Sequence, residues 1–147
     1  MQFMDMNWQT WNQPVSPAVL KLNKEPKLKL SLEIRNRGDV IVVYCEGRIV
    51  YRDEAAALSN LVGEILEQTS KLVLDLSGVS SIDSAGIGEL VLLKTWAQEK
   101  NVSFKCAGAN SLVRSLLELT NLDAVLGVHP SIDAAIEAVR EEQVSAA

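Results

Sequence analysis

Leu28, Leu30, Leu32 and Ile34 alternate without a break with Lys29, Ser31, Glu33 and Arg35. Successive side chains of an extended strand point to opposite faces, so strict period two collects the apolar ones on one side. A helix would scatter the same residues around its circumference. The folded part of the chain must therefore open on a half-buried strand. Asn36 to Asp39 predicts a turn, and Val40 to Cys45 is a continuous apolar run suited to a central strand. The two runs make a hairpin. Gly47 is expected to break the second run, and Asp53 to cap a helix from Glu54 to about Thr69. On that helix Leu58, Leu61, Val62, Ile65 and Leu66 recur at helical spacing as one buried stripe.

The pattern then alternates between the two periods. Leu72 to Leu76 predicts a strand, Ser77 to Asp83 a loop, and Ser84 to Glu99 a helix with Ile87, Leu90, Val91 and Lys94 along one side. Val102 to Ala107 alternates again. Asn110 is a cap for a short helix carrying Val113, Leu116 and Leu117. A last strand is expected near Ala124 to Val128, then a helix capped by Ser131 with Ile132, Ala135, Ile136 and Val139 facing inward. A hairpin followed by helix and strand in alternation predicts a single α/β domain over residues 28–147. Its mixed sheet has helices mainly on one face and the other face wet or covered by a partner.

Residues 1–27 read differently. Met1, Met4, Met6, Trp8 and Trp11 sit among Gln, Asn and Thr, with Pro14, Pro17 and Pro26 and no sustained period. Such a stretch is expected to be an irregular or partly disordered arm. Its two tryptophans argue for an arm that lies against the domain or against a second copy, as a homo-oligomer contact.

Composition removes several function classes. Fourteen basic against nineteen acidic residues leave a net charge of −5, the wrong sign for a nucleic-acid binder. No apolar run approaches the ~18 residues of a membrane span, and no leader pattern opens the chain, so a cytoplasmic protein is expected. Cys45, Cys106 and His129 are too few for a Cys/His metal cluster, and no metal or cofactor is expected. Gly86-Ile87-Gly88 begins a dinucleotide-like pattern, but Val91 stands where its third glycine belongs. A hydrolase elbow around Ser84 would need a glycine at 82, which is Ile82, and would have to recruit His129 from a loop. Asp75, Asp83 and Glu89 lie near one strand end, yet turn formation and helix capping explain the two aspartates more simply. The chain does not read as an enzyme.

What remains is Ser81-Ile82-Asp83-Ser84-Ala85-Gly86-Ile87-Gly88, where a loop meets a helix start. The first N–H groups of a helix have no partner within it, so such a position tolerates an anion. Ala85, Gly86 and Gly88 are small enough for another protein to come close. The same residues also suit a plain helix cap with tight packing, and physics alone leaves the two open.

Leu72 to Val79 followed by Ile82-Asp83-Ser84-Ala85-Gly86-Ile87-Gly88-Glu89-Leu90 resembles the core of a STAS domain, and most of all the bacterial anti-sigma factor antagonists. The likeness runs from about Leu32 to Val139, and takes in Gly47 after the second strand and the Leu-Thr-Asn-Leu ending at Leu122. It implies that Ser84 accepts a phosphate from a partner that is both anti-sigma factor and serine kinase. It also implies that a serine phosphatase reverses the step, and that the unphosphorylated form binds the anti-sigma factor and frees a sigma factor. Asp83, Ala85, Gly86, Gly88, Ser81, Gly47 and Asp53 would surround the acceptor and form the partner surface. Relatives often carry an aspartate three residues after the strand-ending glycine, where this chain has Val50. The alternative is a STAS adaptor or scaffold subunit of a signalling or lipid-transport assembly, with Ser84 as a cap only.

Overall fold

The computed structural model describes residues 30–146; the arm of residues 1–27, with Leu28 and Lys29, lies outside them. Strand β1 (Leu30–Arg37) and strand β2 (Val40–Ile49) form the expected hairpin, in register from Leu30 opposite Gly47 to Arg37 opposite Val40. Only Gly38 and Asp39 connect them, and Gly38 takes φ 67°, which a side chain would resist. Period two does its work here: Leu30 and Leu32 are buried, and Ser31 and Glu33 are half-buried on the opposite face.

The chain continues through α1 (Tyr51–Ile65), β3 (Lys71–Ile82), α2 (Ser84–Glu99), β4 (Ser103–Ala107), α3 (Ser111–Leu119), α4 (Asp123–Leu126), β5 (Val128–His129) and α5 (Ile132–Ala146). The sheet order is β1-β2-β3-β4-β5, antiparallel at the first pair and parallel after it. On one face Val43, Leu74 and Phe104 pack with Leu58 and Val62 of α1, Leu90 and Leu93 of α2, Val113 and Leu117 of α3, and Leu126 of α4. Four helices thus cover one face, as expected. The other face is partly covered from within the chain, because Ala135, Ile136 and Val139 of α5 pack on Val40, Val42, Val73 and Ala107. Ion pairs fasten α5 at its rim: Arg37–Asp133 at 3.0 Å, Arg140–Asp39 at 2.9 Å and Lys105–Glu142 at 3.1 Å. Asp39 also meets Lys71 at 3.0 Å, and the Lys71 ammonium, then Arg140, hold its carboxyl below the usual value.

Several boundaries differ from expectation, each for a physical reason. Gly47 does not end β2. It adopts φ 120° where the β2–β3 register shifts, and the strand runs on to Ile49. An in-strand glycine of this kind marks a bulge, not a stop. Ser77 to Ile82 is consequently strand and not loop, since the prolonged β2 pairs Gly47 with Val79, Arg48 with Ser81 and Ile49 with Ile82. Asp53 does not cap α1. The helix starts at Tyr51 behind Val50, which makes no side-chain cap bond, and Asp53 lies in its first turn. That helix also ends earlier, at Ile65, with turn bonds from Glu67 N to the Glu64 carbonyl and from Gln68 N to the Ile65 carbonyl. Ala124 to Leu126 is helical, and only Val128 and His129 form the last strand. His129 is therefore no loop residue: it pairs with Ala107, and burial, then Lys105, lower its pKa.

Helix α2 has the expected bounds, but its buried side is Gly86, Leu90, Leu93, Lys94 and Ala97. Burial lowers the pKa of Lys94, whose Nζ donates to the Phe104 carbonyl at 2.9 Å. Cys45 and Cys106 are both buried free thiols; burial pushes Cys45 well up and Cys106 to about 12, so neither offers a thiolate. No described helix is long and apolar enough to cross a membrane.

Candidate functional site

The parallel strands β2 and β3 end side by side at Ile49 and Ile82, and both helices that follow start at that end of the sheet. Asp83 is the N-cap of α2: its Oδ1 accepts from Gly86 N at 3.0 Å and its carbonyl from Ile87 N at 2.9 Å. Its own N–H donates to the Ile49 carbonyl at 3.4 Å, which ties the helix start to the end of β2. Ser84 is the first residue of the helix, and it is exposed. The cap does what the sequence suggests, yet it falls to Asp83 and leaves the Ser84 hydroxyl outside the capping bond.

The other expected site residues divide. Ala85 and Gly88 are exposed beside Ser84, and a side chain at Gly88 would meet nothing within 4 Å. Ser81 is half-buried and pairs with Arg48. Gly47 lies between Leu30 and Val79 in the sheet, and its carbonyl accepts from Ser80 Oγ at 3.1 Å. Asp53 is exposed in the first turn of α1. All of these belong to the same end of the sheet. Gly86 is different, because it faces inward. A Cβ there would sit 2.1 Å from the Ile49 carbonyl oxygen and 2.7 Å from Ile82 Cγ1. Its role is to let α2 dock on the strand ends, not to admit a partner.

Gly86→Ala should therefore destabilise the fold, at the upper end of the ~1–3 kcal/mol typical of overpacking, since the clash is with backbone. Gly88→Ala should raise stability by up to ~1 kcal/mol through helix propensity alone. Urea denaturation of the two variants separates them by sign; equal shifts would mean that the helix is rotated from the orientation described.

Three residues at this end are not evident as site residues from sequence. Ser80 buttresses Gly47, Arg48 is the strand partner of Ser81, and Asn110 joins α3 to the end of β3. Asn110 Oδ1 accepts from Val113 N at 2.9 Å while its Nδ2 donates to the Val79 carbonyl at 2.7 Å. The first bond is the expected helix cap; the second depends on a strand 31 residues earlier and leaves no local signal.

Chemically the arrangement presents an accessible hydroxyl at a helix start, beside an Asp83 carboxylate that is engaged in the helix cap. His129 does not join it: paired with Ala107, which pairs with Asp75, it lies two strands across from β3 and level with a residue seven positions before Ile82. No group of three His, Cys, Asp or Glu among the described residues is placed to hold a metal ion. A hydroxyl so placed can be acted upon by an outside enzyme, and its helix N–H groups offset part of an added negative charge.

A family model described as the STAS domain matches residues 31–135. A Thermotoga maritima relative named "Putative anti-sigma factor antagonist" is 34% identical over 73 residues, 50% of this chain. The chain spans 65% of that relative's length. Among solved structures, an anti-sigma factor antagonist from Mycobacterium paratuberculosis is 27% identical and superposes with a TM-score of 0.68, covering 76% of this chain and 94% of its own. The Bacillus cell fate determinant SpoIIAA shares the fold at low identity. Its unphosphorylated form is 13% identical with a TM-score of 0.64, over 76% of this chain and 97% of that one. Its phosphorylated form is 12% identical with a TM-score of 0.58, over 74% and 99%.

Proposed function

The chain belongs to the STAS domain family, and from that premise we propose that it is an anti-sigma factor antagonist switched by phosphorylation of Ser84. The observation that carries the reading is the division of labour at the start of α2. Asp83 supplies the cap, so the exposed Ser84 hydroxyl is left for chemistry. Two likenesses support it: the Mycobacterium relative is described as an anti-sigma factor antagonist, and SpoIIAA is described in unphosphorylated and phosphorylated forms.

In this reading the partner is an anti-sigma factor that is also a serine kinase. The unphosphorylated protein binds it through Ser84, Ala85, Gly88 and the neighbouring ends of β2 and β3, and the sigma factor is released. Transfer of the γ-phosphoryl group of ATP to Ser84 Oγ, with loss of the hydroxyl proton, ends the binding. A serine phosphatase restores it, and the chain itself catalyses neither step.

A second reading is favoured by one observation. Val50 forms the N-cap of α1 with no side-chain bond, where the resemblance to anti-sigma factor antagonists implies an aspartate. A STAS adaptor without a phosphorylation cycle would need no carboxylate there. Incubation of the full chain with its anti-sigma kinase and ATP, followed by intact mass and peptide mapping, decides between them. One phosphate per chain, on Ser84 and lost in Ser84→Ala, is the expected result. A chain that binds the kinase and stays unlabelled would establish the adaptor.

A further inference from the structure

Helix α5 covers only part of its face of the sheet, and the remainder is a groove of about 450 Å3 across β1, β2 and β3. Two cross-strand rows form its floor. Glu33, Tyr44 and Asp75 are paired in register, and next to them Ser31, Glu46 and Gly78. Three of these six side-chain positions are carboxylates. Asp75 is 5% exposed and accepts from the backbone N and the Oγ of Ser77, at 3.1 and 2.9 Å. The cation among the described lining residues, Arg35, is already ion-paired with Glu33. The groove is thus a concave acidic surface left open beside a covered one.

We propose that this groove is the docking site of the chain's own Lys21–Lys29 stretch. Position supports it first. Ser31 lines the groove and Leu30 begins β1, so the preceding residues leave from its rim. Charge supports it next, since Lys21, Lys24, Lys27 and Lys29 stand against a single Glu25. Reach is sufficient: nine residues extend to ~30 Å, whereas the outer strands of a three-strand floor lie only about 10 Å apart. The family match begins at Ser31, after this stretch. The inference does not depend on the partner proposed for Ser84.

The test uses the full chain, mixed in equal parts with isotopically labelled chain and treated with a zero-length carbodiimide, which joins lysine to carboxylate. Links from Lys21 or Lys24 to Glu46, within one copy, are expected in the monomeric fraction. Lys27 and Lys29 adjoin Glu33 along the chain, so they are left out of the readout. The variant Glu33→Lys, which keeps Glu46 as the carboxylate to be joined, should lose these links about tenfold or more, the equivalent of ~1.4 kcal/mol. It should also expose Lys21 and Lys24 to acetylation. Glu118→Lys, on exposed α3, should leave both readouts unchanged, and a thermal melt of each variant checks folding. Links that join only different copies would make a second molecule the occupant and overturn the proposal. So would Lys21 and Lys24 that are equally reactive in the parent and in Glu33→Lys.

Discussion

Ser84→Asp is expected to weaken binding to the anti-sigma factor more than a hundredfold, while Ser84→Ala keeps it within a few-fold of the parent. The asymmetry follows from where charge is solvated. In the free protein the residue is exposed at a helix N-terminus, which favours an anion by up to ~1–2 kcal/mol, and the Asp83 carboxylate next to it opposes that gain. Neither effect is large enough to unfold α2. At an interface the charge must leave water, which costs several kcal/mol unless a cation meets it. A net ~3 kcal/mol exceeds a hundredfold in affinity, at ~1.4 kcal/mol per factor of ten. A phosphate, carrying roughly −1.5 to −2, should act more strongly than the aspartate. Calorimetric titration of both variants checks this, with thermal melts to show that each is folded. An aspartate variant that binds as tightly as serine would falsify the switch.

Leu74→Ala should destabilise by about 2–5 kcal/mol, the range for deleting a fully enclosed leucine. Leu74 is 0% exposed, and it lies on β3 between Val43 of β2 and Cys106 of β4. Rigid strands on both sides limit how far the surroundings can collapse into the void. Gln98→Ala on the exposed side of α2 should change stability by no more than ~0.5 kcal/mol. Urea midpoints of the two variants measure the contrast, and similar losses would mean that Leu74 does not face the core.

The parts of this molecule that were legible from sequence are those fixed by nearby residues. Asp83 ahead of Gly86 contains the cap of α2, and the helix has the bounds expected, although its buried face runs through Leu90, Leu93 and Ala97 and not through Ile87 and Val91. The same spacing identifies which glycine turns inward. Gly86 falls on the stripe of Leu90, Leu93 and Ala97, whereas Gly88 does not, a signal present in the sequence but masked by treating both as small surface residues. The length of β3 is a different matter. Ser77, Gly78, Ser80 and Ser81 have the composition of a loop, and they are strand because β2 continues past its bulge at Gly47 to pair with them. That pairing joins residues more than thirty positions apart. The start of α1 at Tyr51 and the groove beside α5 likewise depend on partners distant in the chain.

The strand order has a consequence for how the molecule is made. Each strand lies beside its predecessor in the chain, so during synthesis every new strand meets an edge already present, and no gap is left for a later strand to fill. The helices of the first face arrive interleaved with the strands they cover. The second face is different, because Val40, Val42 and Val73 wait for α5, the last element described, to emerge. Until then the nascent domain carries an apolar strip that α5 has yet to cover. The hazard of sticking to other chains is greatest just before α5 leaves the ribosome, and it ends when Arg140 reaches Asp39 and Asp133 reaches Arg37.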